Sequence, residues 1–220
     1  MTMPPPRPSP AGAASRAALT APLRAIGLAL LAGAVLFRPH GAHAAPAPQF
    51  LPNRDVEVQY TVSVPGQPPH DYDLSFSAES ERVRIDDPAR GLRFLVDLRD
   101  ASAALVVPQM HVVVTEPDLA NLAAMLQRVD AARFTPLGEA TIAGLRCTRY
   151  LVLSSQATAT TCLTRDGIAL AVSGQDSDGS AQVVADSVTE APVPPDSLVP
   201  PAGFASVALP RGTIAALLGN

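Results

Sequence analysis

The sequence predicts a mainly β, α+β domain: a strongly curved antiparallel sheet, or half-open barrel, of about ten or eleven strands covered by a helix. Three observations predict it. Apolar and polar residues alternate with period two in successive runs between Asp55 and Thr189. Short Pro-, Gly- and Asp-containing turns separate the runs, and one segment in their midst switches to spacings of three and four. So many strands cannot stay flat in one sheet, and a sheet with one apolar face needs a cover.

The first strand starts at Asp55, where Val56, Val58, Tyr60, Val62 and Val64 alternate with Glu57, Gln59, Thr61 and Ser63. Pro65 to Pro69 turn the chain into a second, with Tyr72, Leu74, Phe76 and Ala78 on one face. Arg82 to Ile85 and Leu92 to Leu98 form the next pair around Asp86-Asp87-Pro88-Ala89-Arg90-Gly91, and Ala103 to Val107 and Met110 to Val114 follow around Pro108-Gln109. Short connections make these antiparallel neighbours. Thr115 or Glu116 caps the helix, Pro117 fits its first turn, and Leu119, Leu122, Ala123, Leu126 and Val129 form its apolar stripe. Strands resume at Glu139 to Ile142, Leu145 to Leu153, Thr158 to Thr164, Ile168 to Ser173 and Ala181 to Thr189, the last two around the turn signal Asp178-Gly179. Pro192 to Pro201 is a Pro-rich connector, Phe204 to Leu209 a short strand and Thr213 to Leu218 a terminal helix.

The front of the chain is different in kind. An arginine-bearing, Pro-rich start, a 13-residue apolar run from Ala25 to Phe37 and the small-residue pattern Ala42-His43-Ala44 are in the order of a secretory signal peptide. The run is shorter than the roughly 20 residues of a membrane-spanning helix. The expected organisation is a signal peptide over 1–44 cleaved near Ala44, a Pro/Ala-rich leader over 45–54, the β domain over 55–210 and a short helix in 211–220, and it places the chain in the periplasm or outside the cell. Removal of the first 44 residues leaves 12 arginines against 20 carboxylates, a net charge of about −8. With no Lys or Trp, that balance argues against a nucleic-acid partner, which needs a basic face. No later segment has the length and hydropathy to span a membrane.

Two cysteines, Cys147 and Cys162, remain where disulfides persist. A hairpin turn centred on Ser154-Ser155 sets them directly opposite each other, and a structural bridge is expected. In the hairpin centred between Pro88 and Ala89, the same reasoning opposes Val83 to Phe94, Ile85 to Leu92, and Arg84 to Arg93. Like charges directly opposed repel unless Asp86, Asp97 or a bound anion compensates. Arg84 and Arg93 are therefore a candidate anion patch, for a lipid phosphate or an acidic partner, beside the plainer reading of a solvated face with neutralising carboxylates.

The run Val83-Arg84-Ile85-Asp86, Gly91, Phe94-Leu95-Val96-Asp97-Leu98 and Val107-Pro108-Gln109-Met110 resembles a family of uncharacterised exported bacterial proteins. Later pieces of the pattern are Gly138-Glu139, Ile142-Ala143-Gly144, Cys147, Tyr150, Pro195-Asp196-Ser197-Leu198 and Pro201-Ala202-Gly203-Phe204. The match covers roughly residues 55–210. That family is similar, distantly, to the half-barrel group of the lipoprotein carrier LolA, its receptor LolB and the sigma-factor regulator RseB. The resemblance implies a curved sheet closed by helices over an apolar cavity, and a scaffold that binds a hydrophobic ligand or a lipoprotein without catalysing a reaction.

Signals for chemistry are few. His70 and His111 are the histidines left after processing, neither has a nucleophile nearby in sequence, and G-x-S-x-G is absent. Zinc needs three or four clustered ligands, and Asp176-Ser177-Asp178-Gly179 lacks the remaining ligands of a calcium loop. No catalytic residue, metal or cofactor is expected. The leading expectation is a non-enzymatic periplasmic protein that binds an apolar ligand or lipidated partner between sheet and helix, its lining drawn from Tyr60, Val62, Phe76, Phe94, Val96, Leu122 and Leu126. The alternatives are a structural or regulatory protein-interaction domain with a fully packed core, and a hydrolase. The expected partners are a lipid, a lipoprotein or a periplasmic protein.

Overall fold

A computed structural model describes residues 47–119, 132–154, 158–176 and 179–214. Its strands are β1 (Val56–Ser63), β2 (His70–Ser77), β3 (Arg82–Asp87), β4 (Leu92–Asp97), β5 (Ser102–Val107), β6 (Val112–Thr115), β7 (Arg133–Ile142), β8 (Leu145–Leu153), β9 (Thr158–Leu163), β10 (Ala169–Asp176), β11 (Gly179–Thr189) and β12 (Ala205–Ala208). They form one 12-stranded sheet in the spatial order β12, β6, β5, β4, β3, β2, β1, β11, β10, β9, β8, β7. Mostly this is the expected meander, turned by short connections. Among the described residues its two edges, β12 and β7, do not meet, so the sheet is a half-barrel rather than a closed one.

Curvature has a local cause. Three single-residue bulges bend the β1 and β7–β11 half: Asp186 is extra opposite Gln59 and Tyr60, Leu170 opposite Cys162 and Leu163, and Leu137 opposite Arg149 and Tyr150. The strands curl until β7 touches β11, four places away in the order. The principal core fills the inside of the curl. Val56, Val58, Phe76, Val83 and Val96 come from one flank and Cys147, Cys162, Leu170 and Ala185 from the other. Ile168 and Leu170 share the inward face, the bulge brings Ala171 inward opposite Cys162 as well, and Leu170 is fully buried.

Two expectations are corrected here. The sheet is mixed, because β12 runs parallel to β6. Since β11 and β12 point the same way, residues 190–204 must both cross the sheet and return along the strands' length. This connector runs over the outer face: its short 3-10 helix Pro195–Leu198 packs on β3, and Phe204 packs on the outward-facing Leu95, Val106 and Val113. The second correction is to register. Cys162 lies opposite Arg149, and Leu153 opposite Thr158, so the β8–β9 pairing is displaced by two residues from the expected one. The cysteines are nonetheless bridged, diagonally, with Cα atoms 5.4 Å apart, because a shift of two keeps both on the same face.

The segment expected as a leader is strapped to the domain. Gly167, at φ +87°, leaves room for the Leu51 carbonyl oxygen where a Cβ would sit, and Asn53 N–H donates to Asp166 O at 3.2 Å. Arg54 pairs with Asp166 and Glu190, and Phe50 packs on Phe134. Of the two expected helices, Pro117 to Leu119 and Thr213 to Ile214 are helical. The rest, with Leu122 and Leu126, lies outside the described residues. No helix among the described residues is long and apolar enough to cross a membrane.

Candidate functional site

The inner face of β4–β6 is apolar because the alternation there places Leu92 and Phe94, Leu105 and Val107, and Val112 and Val114 on one side. Parallel pairing of β12 sets Val207 beside Val114. Together with Met110, Leu209 and Ile214 these side chains, Phe94 excepted, line a pocket of about 420 Å³ with no charged residue in its wall. The volume is within the range of roughly 300–1,000 Å³ of small-molecule pockets. Met110 ends the 3-10 turn Pro108–Met110 and is 70% exposed, so a flexible apolar chain stands at the pocket rim.

The wall at Ile214 is held by a buried carboxylate. Glu116 is 4% exposed, and its Oε1 and Oε2 accept from Thr213 N at 2.8 Å and Ile214 N at 3.0 Å. Asp118 Oδ2 accepts from Gly212 N at 3.1 Å. Burying Glu116 without such partners would be costly; here its two oxygens accept from the amides of the helical residues Thr213 and Ile214.

Beside the pocket is a polar cluster on the same face. Asp87 is the direct cross-strand partner of Leu92 and is 2% exposed. Its Oδ2 accepts from Arg90 Nη1 at 2.9 Å and its Oδ1 from Arg90 N at 3.0 Å. His70 Nε2 is 3.5 Å from Asp87 Oδ1 and 3.0 Å from Arg90 Nη1, and the His70 ring packs on Tyr72. Burial alone would raise the Asp87 carboxyl, but the hydrogen bonds from the Arg90 side chain and backbone, with the Arg90 charge, hold it below the ordinary carboxylate value.

Of the residues expected to line a cavity, Phe76 and Val96 are buried in the principal core and Tyr60 packs against it. Tyr60 OH donates to Ala169 O at 2.7 Å, and burial pushes its pKa up to about 12. Val62 is half-buried on β1, and Phe94 packs beside the pocket. Sequence reasoning did not single out Leu105, Val107, Val112 and Val114. Their signal was present in the two adjacent apolar strands before the helix, but the fourth wall comes from β12, about 90 residues later in the chain.

Arg84 and Arg93 are not opposed. Asp86 lies opposite Arg93, and Leu95 opposite Arg84, a displacement of two residues from the expected register. On the outer face Asp86 sits between both arginines: its Oδ1 accepts from Arg93 Nε at 2.7 Å, and its Oδ2 is 2.8 Å from Arg84 Nε. The Arg84 contact is an ion pair without a well-aligned hydrogen bond. A larger concavity, about 720 Å³, opens among Ser63, Thr158, Thr160, Ser173 and Gln182, and its neutral hydroxyls and small side chains supply neither charge nor a continuous apolar wall. No group of metal-ligating side chains is present among the described residues.

No protein-family model matches the chain, and no curated protein matches it in sequence. Solved structures do. An uncharacterized conserved protein from Thermus thermophilus is 11% identical over 71% of this chain and 91% of its own, with a TM-score of 0.52. The Pseudomonas aeruginosa MucA/MucB complex gives a match at 17% identity over 70% of this chain and 58% of that one, TM-score 0.41. The Mycobacterium tuberculosis lipoprotein LppX is 15% identical over 63% of this chain and 88% of its own, TM-score 0.39. The likeness to the Thermus protein is one of fold: the curved sheet expected from the sequence recurs over most of that chain.

Proposed function

We propose that this protein is an exported, non-enzymatic binder of an apolar ligand or lipidated partner, and that the ligand's hydrocarbon enters the pocket framed by β4–β6, β12 and Ile214. The observation that carries the reading is the pocket itself, whose wall is aliphatic throughout while its rim holds the exposed Met110 and the partly exposed Val207. An apolar concavity of this size is the usual form of a small-molecule site. The buried side chains of the principal core cluster together across the curl, so this reading seats the ligand at the β4–β6 end. The second reading is a regulatory interaction domain with a fully packed core. Residues 1–44 act as the signal peptide in this reading, and the periplasm is where the ligand is met. Both histidines are engaged in packing and polar contacts: His70 with Asp87 and Arg90, His111 with the Phe204 ring.

Fluorescence of N-phenyl-1-naphthylamine, which rises in apolar surroundings, tests the reading. The purified protein is expected to bind the probe saturably. Val207→Asp, at a partly exposed rim position, is expected to weaken binding by about tenfold or more, since it places a charge against the ligand, with the melting temperature kept. A signal no larger than that of an unrelated protein, or a Val207→Asp variant that binds as well as the parent, would overturn the pocket. Organic extraction and mass spectrometry of gently purified protein separates the two readings: a copurifying lipid supports ligand binding, and repeated recovery of none supports the interaction domain.

A further inference from the structure

We propose that Arg90, braced by Asp87 and His70, is the head-group end of the apolar pocket, so that the ligand is an amphiphile with an anionic head, carboxylate or phosphate, on a hydrocarbon tail. The proposal rests on the pocket reading above and names its ligand class. Its first support is placement. Asp87 and Leu92 are paired across β3 and β4 and face the same side, and Leu92 is pocket wall. Directly opposed residues of an antiparallel pair have Cα atoms about 4.5–5.5 Å apart, so the polar cluster and the apolar wall adjoin without an intervening residue.

The second support is the direction in which the charge is presented. Asp87 is buried, whereas Arg90 is 45% exposed. The carboxylate therefore sits behind the guanidinium and holds it through Nη1, with His70 and Tyr72 beside it, while nearly half of the Arg90 side chain still faces solvent. A guanidinium has only donors to offer, in a planar fork suited to carboxylate and phosphate oxygens. Other nearby carboxylates are turned away: Asp86 is held on the outer face by Arg84 and Arg93, and Asp71 accepts from Thr61 there. His70 and Tyr72 complete the cluster on the inner side.

The third support is the junction between head and tail. Gly91, at φ +63°, carries the Gln109 side-chain amide where a Cβ would otherwise lie, so the turn after Arg90 is docked on the turn that ends in Met110. Gln109, next in the chain to the rim residue Met110, is thus packed on Gly91, next in the chain to Arg90, so the turn that carries the cation and the turn that carries the rim are joined.

Displacement of N-phenyl-1-naphthylamine by lauric acid, lauryl alcohol and dodecyl phosphate at low salt provides the test. The acid and the phosphate are expected to bind about tenfold or more tighter than the alcohol, the effect of one charge-assisted hydrogen bond. Arg90→Gln is expected to bring the acid-to-alcohol ratio close to one. Gln109→Glu, which leaves the Asp87 contacts in place, is expected to lower the ratio by repulsion, while Arg99→Gln, at an exposed position away from the pocket, leaves it as in the parent. Equal affinity for acid and alcohol in the parent, or a ratio that survives both Arg90→Gln and Gln109→Glu, overturns the head-group assignment and leaves the pocket standing. Displacement by inorganic phosphate or butyrate at concentrations similar to those of the long-chain ligands overturns it too, by showing a free-anion site. Failure of the parent to bind the probe at all overturns the pocket and, with it, the head group.

Discussion

Asp87 shows how much one side chain can carry. It is the fully covered member of a cluster whose other members reach solvent, and it faces inward next to an apolar wall. Removing its charge leaves Arg90 without its anchor, so Asp87→Asn is expected to lower stability at pH 7 by about 1–3 kcal/mol, the usual range for a buried polar group deprived of its partner. The pH dependence follows from the sign of the shift. The folded carboxyl is held below its ordinary value, so the unfolded chain binds this proton more readily. Its contribution is therefore complete above the ordinary carboxylate range near pH 4 and is lost as pH falls through and below that range. Asp97, lowered against burial by its bonds with Arg82 and the backbone of Arg99 and Asp100, acts in the same sense. Urea unfolding at several pH values between neutral and pH 3 should show a shallower acid loss for Asp87→Asn than for the parent, with the Asp97 part remaining. An identical acid slope in both would mean that Asp87 titrates alike in the folded and unfolded chains.

At the scale of elements, period-two alternation made most strands legible, because each strand buries one face and alternation reports which one. It could not report register to better than two residues. Both hairpin registers derived from turn position, β3–β4 and β8–β9, are displaced by two in the folded chain. A slip of one would have put Val83 and Cys162 on the wrong face, whereas a slip of two leaves every side chain on its own side. Hence the cysteine bridge was readable and the arginine opposition was not: the bridge requires a shared face, the opposition an exact partner. The pocket was less legible still, since it depends on where the connector delivers β12. That connector is held by contacts absent from any local pattern, among them Val193 N–H donating to Asp55 Oδ2 at 2.9 Å and Phe204 covering Val106. Phe204→Ala is accordingly expected to lower stability by about 1–3 kcal/mol, the loss of a half-buried ring. Urea unfolding measures it, and a change within about 0.5 kcal/mol, the scatter of ordinary surface substitutions, would mean that β12 is held by backbone pairing alone.

For the whole molecule, the curl of the sheet and the redox state of the two cysteines are linked. The bulged half from β7 to β11 packs its inner face against β1–β4, and Cys147 and Cys162 lie in that shared core rather than at its edge. The bridge closes a span of 15 residues. In the chain-entropy account a loop of that size contributes about 3 kcal/mol, mainly by restricting the unfolded chain. In a reducing compartment the protein would lack this contribution, so a fold of this kind suits a chain that matures outside the cytoplasm. If residues 1–44 direct export, protein recovered from a periplasmic extract is expected to begin at Ala45 and to contain no free thiol. Replacing both cysteines by serine is expected to lower stability by about 3 kcal/mol without altering the strand content seen by circular dichroism. N-terminal sequencing, thiol titration and urea unfolding check the three parts separately. A chain that retains Met1 with two free thiols would contradict the export assignment, whereas a doubly substituted variant as stable as the parent would place the cause of the curl in the bulges and core packing alone.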